Sequence, residues 1–314
     1  MAILNYVPHG INSKTFYPIT ESDSVYTEFT KFKDDFYNKY QVKFIVFWNN
    51  RNIRRKQPGD VILAFRRFCD KLSDVDRSQC ALLLHTDPVD ENGTDLFAVQ
   101  KAIAYNCKVL FSDARIDDKI LNFYYNLADV TLNIASNEGF GLSSAESIMA
   151  GTPVINNVTG GLQDHMRFED DNGECIKFDS KFTTNHNGTF TNCGKWAYPV
   201  FPTNISLQGS VMTPYIFDER CSFDDVASGM YYWYCLPKNV RDGFGLAGRE
   251  WLISEESRMS ADNMCANVIK SIDMCLDMFV PASKFKLIKI KTGNTSKLMN
   301  DNLGIVFKGD SEHE

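Results

Sequence analysis

Between residues 42 and 158, short apolar runs rich in β-branched side chains alternate with longer stretches in which apolar positions recur every three or four residues. The runs predict strands at 42–48, 80–85, 108–111, 130–134 and 153–157. The longer stretches predict helices over 59–72, 95–105, 117–127 and 143–150. Strands that are apolar at nearly every position need cover on both faces, which a parallel sheet flanked by helices supplies. The expectation is therefore an α/β fold with a doubly wound parallel sheet. Ligands of such sheets sit beyond the carboxyl ends of the strands, so the loops after Trp48, Phe111, Ile134 and Val158 are where chemistry is expected.

Past residue 178 the pattern changes. Residues 179–222 are rich in Asn, Thr, Gly, Pro and aromatics, show no helical period and read as an irregular insertion. Its segment 196–215 has two readings, contact with a substrate or simple elaboration of the surface. Helical patterning returns over 223–236 and 259–279, with Tyr231, Tyr232, Trp233 and Tyr234 expected to pack one helix face.

Composition narrows the functional classes. The chain has 314 residues, 44% of them hydrophobic, enough for a full core. Its 33 basic and 40 acidic side chains leave a formal charge of -7, which excludes a surface built throughout to neutralise phosphate backbones. The nine cysteines form no Cys-x-x-Cys pair and have no histidine at ligand spacing, so they read as reduced thiols and no metal site is expected. No apolar run approaches the roughly 18–20 residues of a membrane span, and the start lacks a secretory pattern. A cytoplasmic location is the expectation.

The densest chemical signal is Asn137-Glu138-Gly139-Phe140-Gly141-Leu142-Ser143-Ser144-Ala145-Glu146, followed by Thr159-Gly160-Gly161. A strand that runs through a glycine loop into a helix brings free backbone N–H groups and the positive helix end together, where a diphosphate can sit. A plainer alternative is a capping box, in which Glu146 folds back onto the first helical turn at Ser143.

The run from Glu138 to Gly161 resembles the signature of family 4 glycosyltransferases and their relatives in the GT-B fold, which carry two glutamates separated by seven residues around a Gly-Phe-Gly-Leu core. The resemblance implies that Glu138 contacts hydroxyls of the transferred sugar and Glu146 the ribose of the nucleotide, with Gly139, Phe140, Gly141, Leu142 and Ser143 lining the phosphates or the sugar. Arg51 and Lys56, five positions apart after the first strand, are similar to the family's diphosphate-binding pair, although Asn50 stands where a glycine is usual. Fixed cations there would stabilise the charge that builds on the leaving group; a solvated basic loop is the alternative. Arg115 and Ile116 resemble the segment that meets the base, and residues 7–18 the linker from an acceptor-binding domain.

On that resemblance the chain divides into a linker remnant (1–18), a Rossmann-like nucleotide-sugar-binding domain (19–178), the insertion (179–222), C-terminal helices of the same domain (223–283) and a polar tail (284–314). It implies a retaining, metal-independent transfer from a nucleotide sugar to an acceptor hydroxyl, without a cofactor, and an N-terminal acceptor domain lying upstream or on another polypeptide. Two other functions stay open: a non-catalytic nucleotide-sugar-binding subunit, and a viral-type transferase that modifies nucleic acid.

Overall fold

The five apolar runs become the centre of one parallel sheet. In the computed structural model, which describes residues 5–176, 185–186, 188–209 and 211–280, the strands are β1 (Phe44–Asn49), β2 (Cys80–His85), β3 (Lys108–Ser112), β4 (Val130–Asn133), β5 (Val154–Asn157) and β6 (Ala197–Val200). Their order is β3-β2-β1-β4-β5-β6 and every neighbouring pair is parallel. Strands are added outward from β1 first to one side and then to the other, so a crevice opens where the order reverses, between β1 and β4.

Residue alternation along β1 explains the two layers of helices. Phe44, Val46 and Trp48 enter one core with side chains of α2 (Pro58–Cys69) and α7 (Phe223–Cys235). Ile45 and Phe47 enter a second core with side chains of α5 (Asp118–Leu127) and α6 (Leu142–Met149). All five are at most 2% exposed, and each such burial stabilises the fold by about 1.5–3 kcal/mol. The remaining helices are α1 (Tyr26–Tyr40), α3 (Asp74–Ser78), α4 (Leu96–Ile103), α8 (Lys238–Ile253) and α9 (Ala261–Asp277); the hydrophobic pattern marks neither α1 nor α8.

The stretch read as irregular is more ordered than expected. Among its described residues it holds β6, the sixth strand of the main sheet, and a separate antiparallel hairpin of β7 (Pro202–Gln208) and β8 (Ile216–Cys221). Strand β6 is four residues long, lies at the sheet edge and contains Pro199, which an edge tolerates. The residues before it differ in the opposite sense. The apolar residues after the turn at 169–173 read in the sequence as a further strand, 174–178, but up to Ile176 the structure has only an isolated bridge, Glu169 to Cys175, closing the turn at Gly173; positions 177–178 lie outside the described residues. The same is true of the expected tail at 284–314.

The chain divides into two units, Met1–Ile272 and Asp273–Glu314. The sheet and the site belong to the first. The described part of the second, 273–280, is the end of α9 and the three residues after it. Among the described residues no helix is long and apolar enough to cross a membrane.

Candidate functional site

At the carboxyl ends of β1 and β4 two loops are laced together. After β1 the chain makes a 3-10 turn at Arg54–Lys56, and after β4 it makes the glycine loop that leads into α6. The Ser136 amide donates to the Arg55 carbonyl at 2.7 Å, and Arg55 Nη1 donates to the Asn137 carbonyl at 3.1 Å. The same guanidinium reaches Glu138 Oε2 at 3.0 Å, and Lys56 Nζ also donates to that oxygen. Lys56 is buried, and burial lowers its pKa from the ordinary lysine value while the Glu138 carboxylate opposes the shift.

The glycines let backbones meet. Gly141 caps α6 with φ 92°, a left-handed conformation, and a Cβ there would lie 2.4 Å from Leu162 Cδ2. At Gly161 a Cβ would stand 2.2 Å from the Gly139 carbonyl oxygen, while the Gly161 amide donates to the Glu138 carbonyl at 3.0 Å. Thus the Thr159-Gly160-Gly161 turn fixes the glutamate loop from behind. Phe140 is held from two sides, stacked on His9 at 5.0 Å and edge-on to His165 at 4.7 Å. Gly139 is exposed, with nothing within 4 Å of the place a Cβ would occupy.

The capping-box alternative does not form. Among the described residues no side chain caps α6; Ser143 Oγ accepts from Asn133 Nδ2 at 3.3 Å instead, and Glu146 Oε2 accepts from the Tyr125 hydroxyl at 2.7 Å. The first N–H groups of α6, at Leu142 and Ser143, are left without a cap, as an anion site requires. Burial pushes the Glu146 carboxyl above its ordinary value, and the tyrosine hydrogen bond works against that.

Glu138, Gly139, Phe140, Gly141, Leu142, Ser143, Glu146 and Lys56 are thus brought to the amino end of one helix. Arg51 is not with them. It pairs with Asp90 in the loop after β2 at 2.8 Å, its side chain 61% exposed, and Arg55 takes the position beside Lys56. Arg115 and Ile116 lie in the β3–α5 loop, the first exposed and the second half-buried.

Sequence reasoning missed Arg55, Tyr125 and the hairpin. From β8, the Asp218 carboxylate holds Arg54 and, at 3.0 Å, the Asn137 side chain, while the Glu219 amide donates to the Ser136 carbonyl at 2.8 Å. The only advance signal was the basic run itself, Arg54-Arg55-Lys56. A cavity of about 370 Å³ lined by Asp164, Arg167, Trp251 and Arg258 contains none of Glu138, Glu146 or Lys56. Among the described residues no group of three or more His, Cys, Asp or Glu could hold a metal ion.

A six-stranded parallel sheet wound outward from β1 in both directions defines a Rossmann-like α/β domain. Comparison with known proteins names the family. Residues 29–181 match the family described as Glycosyl transferases group 1, and this part of the chain is a group 1 glycosyltransferase domain with the Rossmann-like architecture of the GT-B fold.

Among curated relatives, the trehalose synthase of Pyrococcus horikoshii is 28% identical over 104 residues, covering 33% of this chain and 25% of that protein. The trehalose synthase of Thermococcus litoralis is 26% identical over the same length and share. The chain thus spans a quarter of the length of these relatives. Among solved structures, the sucrose-phosphate synthase of Thermosynechococcus elongatus superposes with a TM-score of 0.57 at 19% identity, over 86% of this chain and 52% of that one. Anabaena HepE, solved in complex with UDP and glucose, gives 0.57 at 11% identity over 85% and 56%.

Proposed function

We propose that the chain is the donor-binding half of a retaining, metal-independent glycosyltransferase that moves a sugar from a nucleoside diphosphate to an acceptor hydroxyl. One observation carries the reading: Arg55, Lys56 and Glu138 converge in front of the uncapped amino end of α6. Lys56, Arg55 and the helix N–H groups would take the charge that develops on the departing diphosphate. Glu138 would exchange its cation partners for hydroxyls of the sugar, and Glu146 would hold the ribose. Retention is carried over from the family likeness alone. The acceptor and the domain that binds it are not specified by these residues.

Thermal unfolding with UDP, GDP and ADP tests the site. One of them should raise the midpoint, since a ligand at a hundredfold excess over its Kd adds about 2.7 kcal/mol. Lys56→Ala and Arg55→Ala should each bind about tenfold more weakly or worse, and Arg51→Ala should resemble the parent. Equal midpoint shifts in the parent, Lys56→Ala and Arg55→Ala would remove the phosphate assignment. Incubation with radiolabelled nucleotide sugars then separates an enzyme from a binding subunit, because the latter retains nucleotide and turns nothing over.

A further inference from the structure

Glu146 does not stand alone on α6. The fully buried Tyr125 of α5 donates its hydroxyl to Glu146 Oε2 at 2.7 Å and lies 2.9 Å from Asn49 Nδ2 at the end of β1. The direction of this chain of bonds follows from the chemistry of its ends. An ionised carboxylate only accepts, so the phenolic proton must point to Glu146; the phenol oxygen is then an acceptor, which the Asn49 amide NH₂ supplies. Three elements that meet at the switch point, β1, α5 and α6, thereby fix one oxygen of one carboxylate. The other oxygen, Oε1, makes no hydrogen bond among the described residues.

We infer that Asn49 and Tyr125 are positioning residues for Glu146, saturating Oε2 so that an ionised Oε1 is presented to the vicinal hydroxyls of a ribose. This rests on the donor-site reading above and adds the source of its sugar selectivity. A buried carboxylate with no donor protonates readily and turns freely between rotamers. The tyrosine counters both tendencies: it hydrogen-bonds the charged form and occupies the oxygen that would otherwise compete for the ligand. The Tyr125 ring also packs edge-on to Phe16 and Phe47, at 5.8 and 5.3 Å, so a phenylalanine at this position keeps the packing and loses only the hydroxyl. Asn49 is half-buried, and its replacement disturbs no core.

The experiment compares binding of UDP, GDP and ADP with binding of their 2′,3′-dideoxy counterparts, by titration calorimetry between pH 5.5 and 8.5. The parent protein should prefer the ribonucleotide by about tenfold or more, because a site built around a hydroxyl penalises its loss. Glu146→Gln should abolish the preference. In Tyr125→Phe the preference should weaken, and more at the acid end of that range than at the alkaline end, because the carboxyl, already raised by burial and by the charge of Asp118, loses the hydrogen bond that favours its ionised form. Asn49→Ala should shift the same way to a smaller extent and serves if the first variant folds poorly.

A general packing defect would weaken ribonucleotide and dideoxynucleotide alike, without that pH dependence, and such a result overturns the inference. So does a parental preference at every pH in both variants. Failure of the underlying reading looks different: a parent that binds none of the three nucleotides, or a Glu146→Gln variant that still selects ribose, removes the ribose assignment itself and the relay with it.

Discussion

His165 sits in a 3-10 turn at 0% exposure, neither ring nitrogen has a hydrogen-bond partner among the described residues, and burial lowers its pKa from 6.5 to about 3. Its neighbour Asp164 is shifted the other way, raised by burial from 3.8 to about 6. The linkage signs are opposite. The lowered imidazole favours the fold fully above pH 6.5 and loses that contribution as pH falls toward 3. The raised carboxyl favours the fold below pH 3.8 and loses its contribution as pH rises through 6. A tenfold change in proton affinity between the folded and unfolded chain corresponds to about 1.4 kcal/mol of stability. Urea unfolding should show His165→Leu gaining on the parent as pH drops from 6.5 to 4, and Asp164→Asn gaining as pH climbs from 4 to 7. Parallel pH profiles for the variants and the parent would show that these groups are not buried as described.

At this scale part of the site was legible and part was not. Glu138, Glu146 and the glycines follow one another over nine positions, so local chain geometry alone gathers them at one helix end. Choosing between Arg51 and Arg55 requires the path of the loop. The 3-10 turn sends successive side chains about a third of a turn apart, and here Arg54 goes to Asp218 while Arg55 and Lys56 reach Glu138. No spacing rule distinguishes those outcomes. Tyr125 was hidden for another reason, since in an apolar run a tyrosine reads as packing until its hydroxyl is seen to have partners.

Among the elements, strands β1, β2, β4 and β5 were visible because they are buried on both faces, and β3, half-buried at three of its five positions, because its centre is the same kind of apolar run. Helix α8 was not, because it carries Gly243, Gly245 and Gly248, and each glycine in a helix interior costs about 1 kcal/mol relative to alanine. The structure shows what two of them are for. A Cβ on Gly245 would stand 1.9 Å from the Gly151 carbonyl oxygen at the end of α6, and one on Gly248 would stand 2.6 Å from the Trp196 ring. Helix α8 therefore lies against its neighbours through its backbone. Propensity alone predicts that Gly245→Ala stabilises; the contact predicts that it destabilises by about 1–3 kcal/mol. A melting temperature below the parent's, read by calorimetry, is the expected result, and a higher one would contradict this packing.

At the scale of the molecule, the strand order could not be taken from pattern, because alternation says that strands are parallel without saying which lie side by side. The order places β1 beside β4, and that adjacency brings Lys56 to Glu138. The hairpin adds a long-range constraint, with Asp218 and Glu219 holding residues on both sides of the glutamate loop. In Asp218→Ala, amide exchange at residues 134–141 should speed up several-fold while β1 to β3 keep their protection, as expected when local opening is eased without loss of global stability. Uniform acceleration across the sheet would point to general destabilisation instead.

The hairpin's grip also bears on recombination. A loop taken from another group 1 glycosyltransferase domain and grafted at 134–141 would arrive without its anchors, since Asp218 and Glu219 belong to a ribbon some eighty positions downstream. Chimeras that exchange both segments together should keep the loop's fold, whereas single-segment swaps should lose it, so the two stretches form one heritable part although the chain writes them far apart.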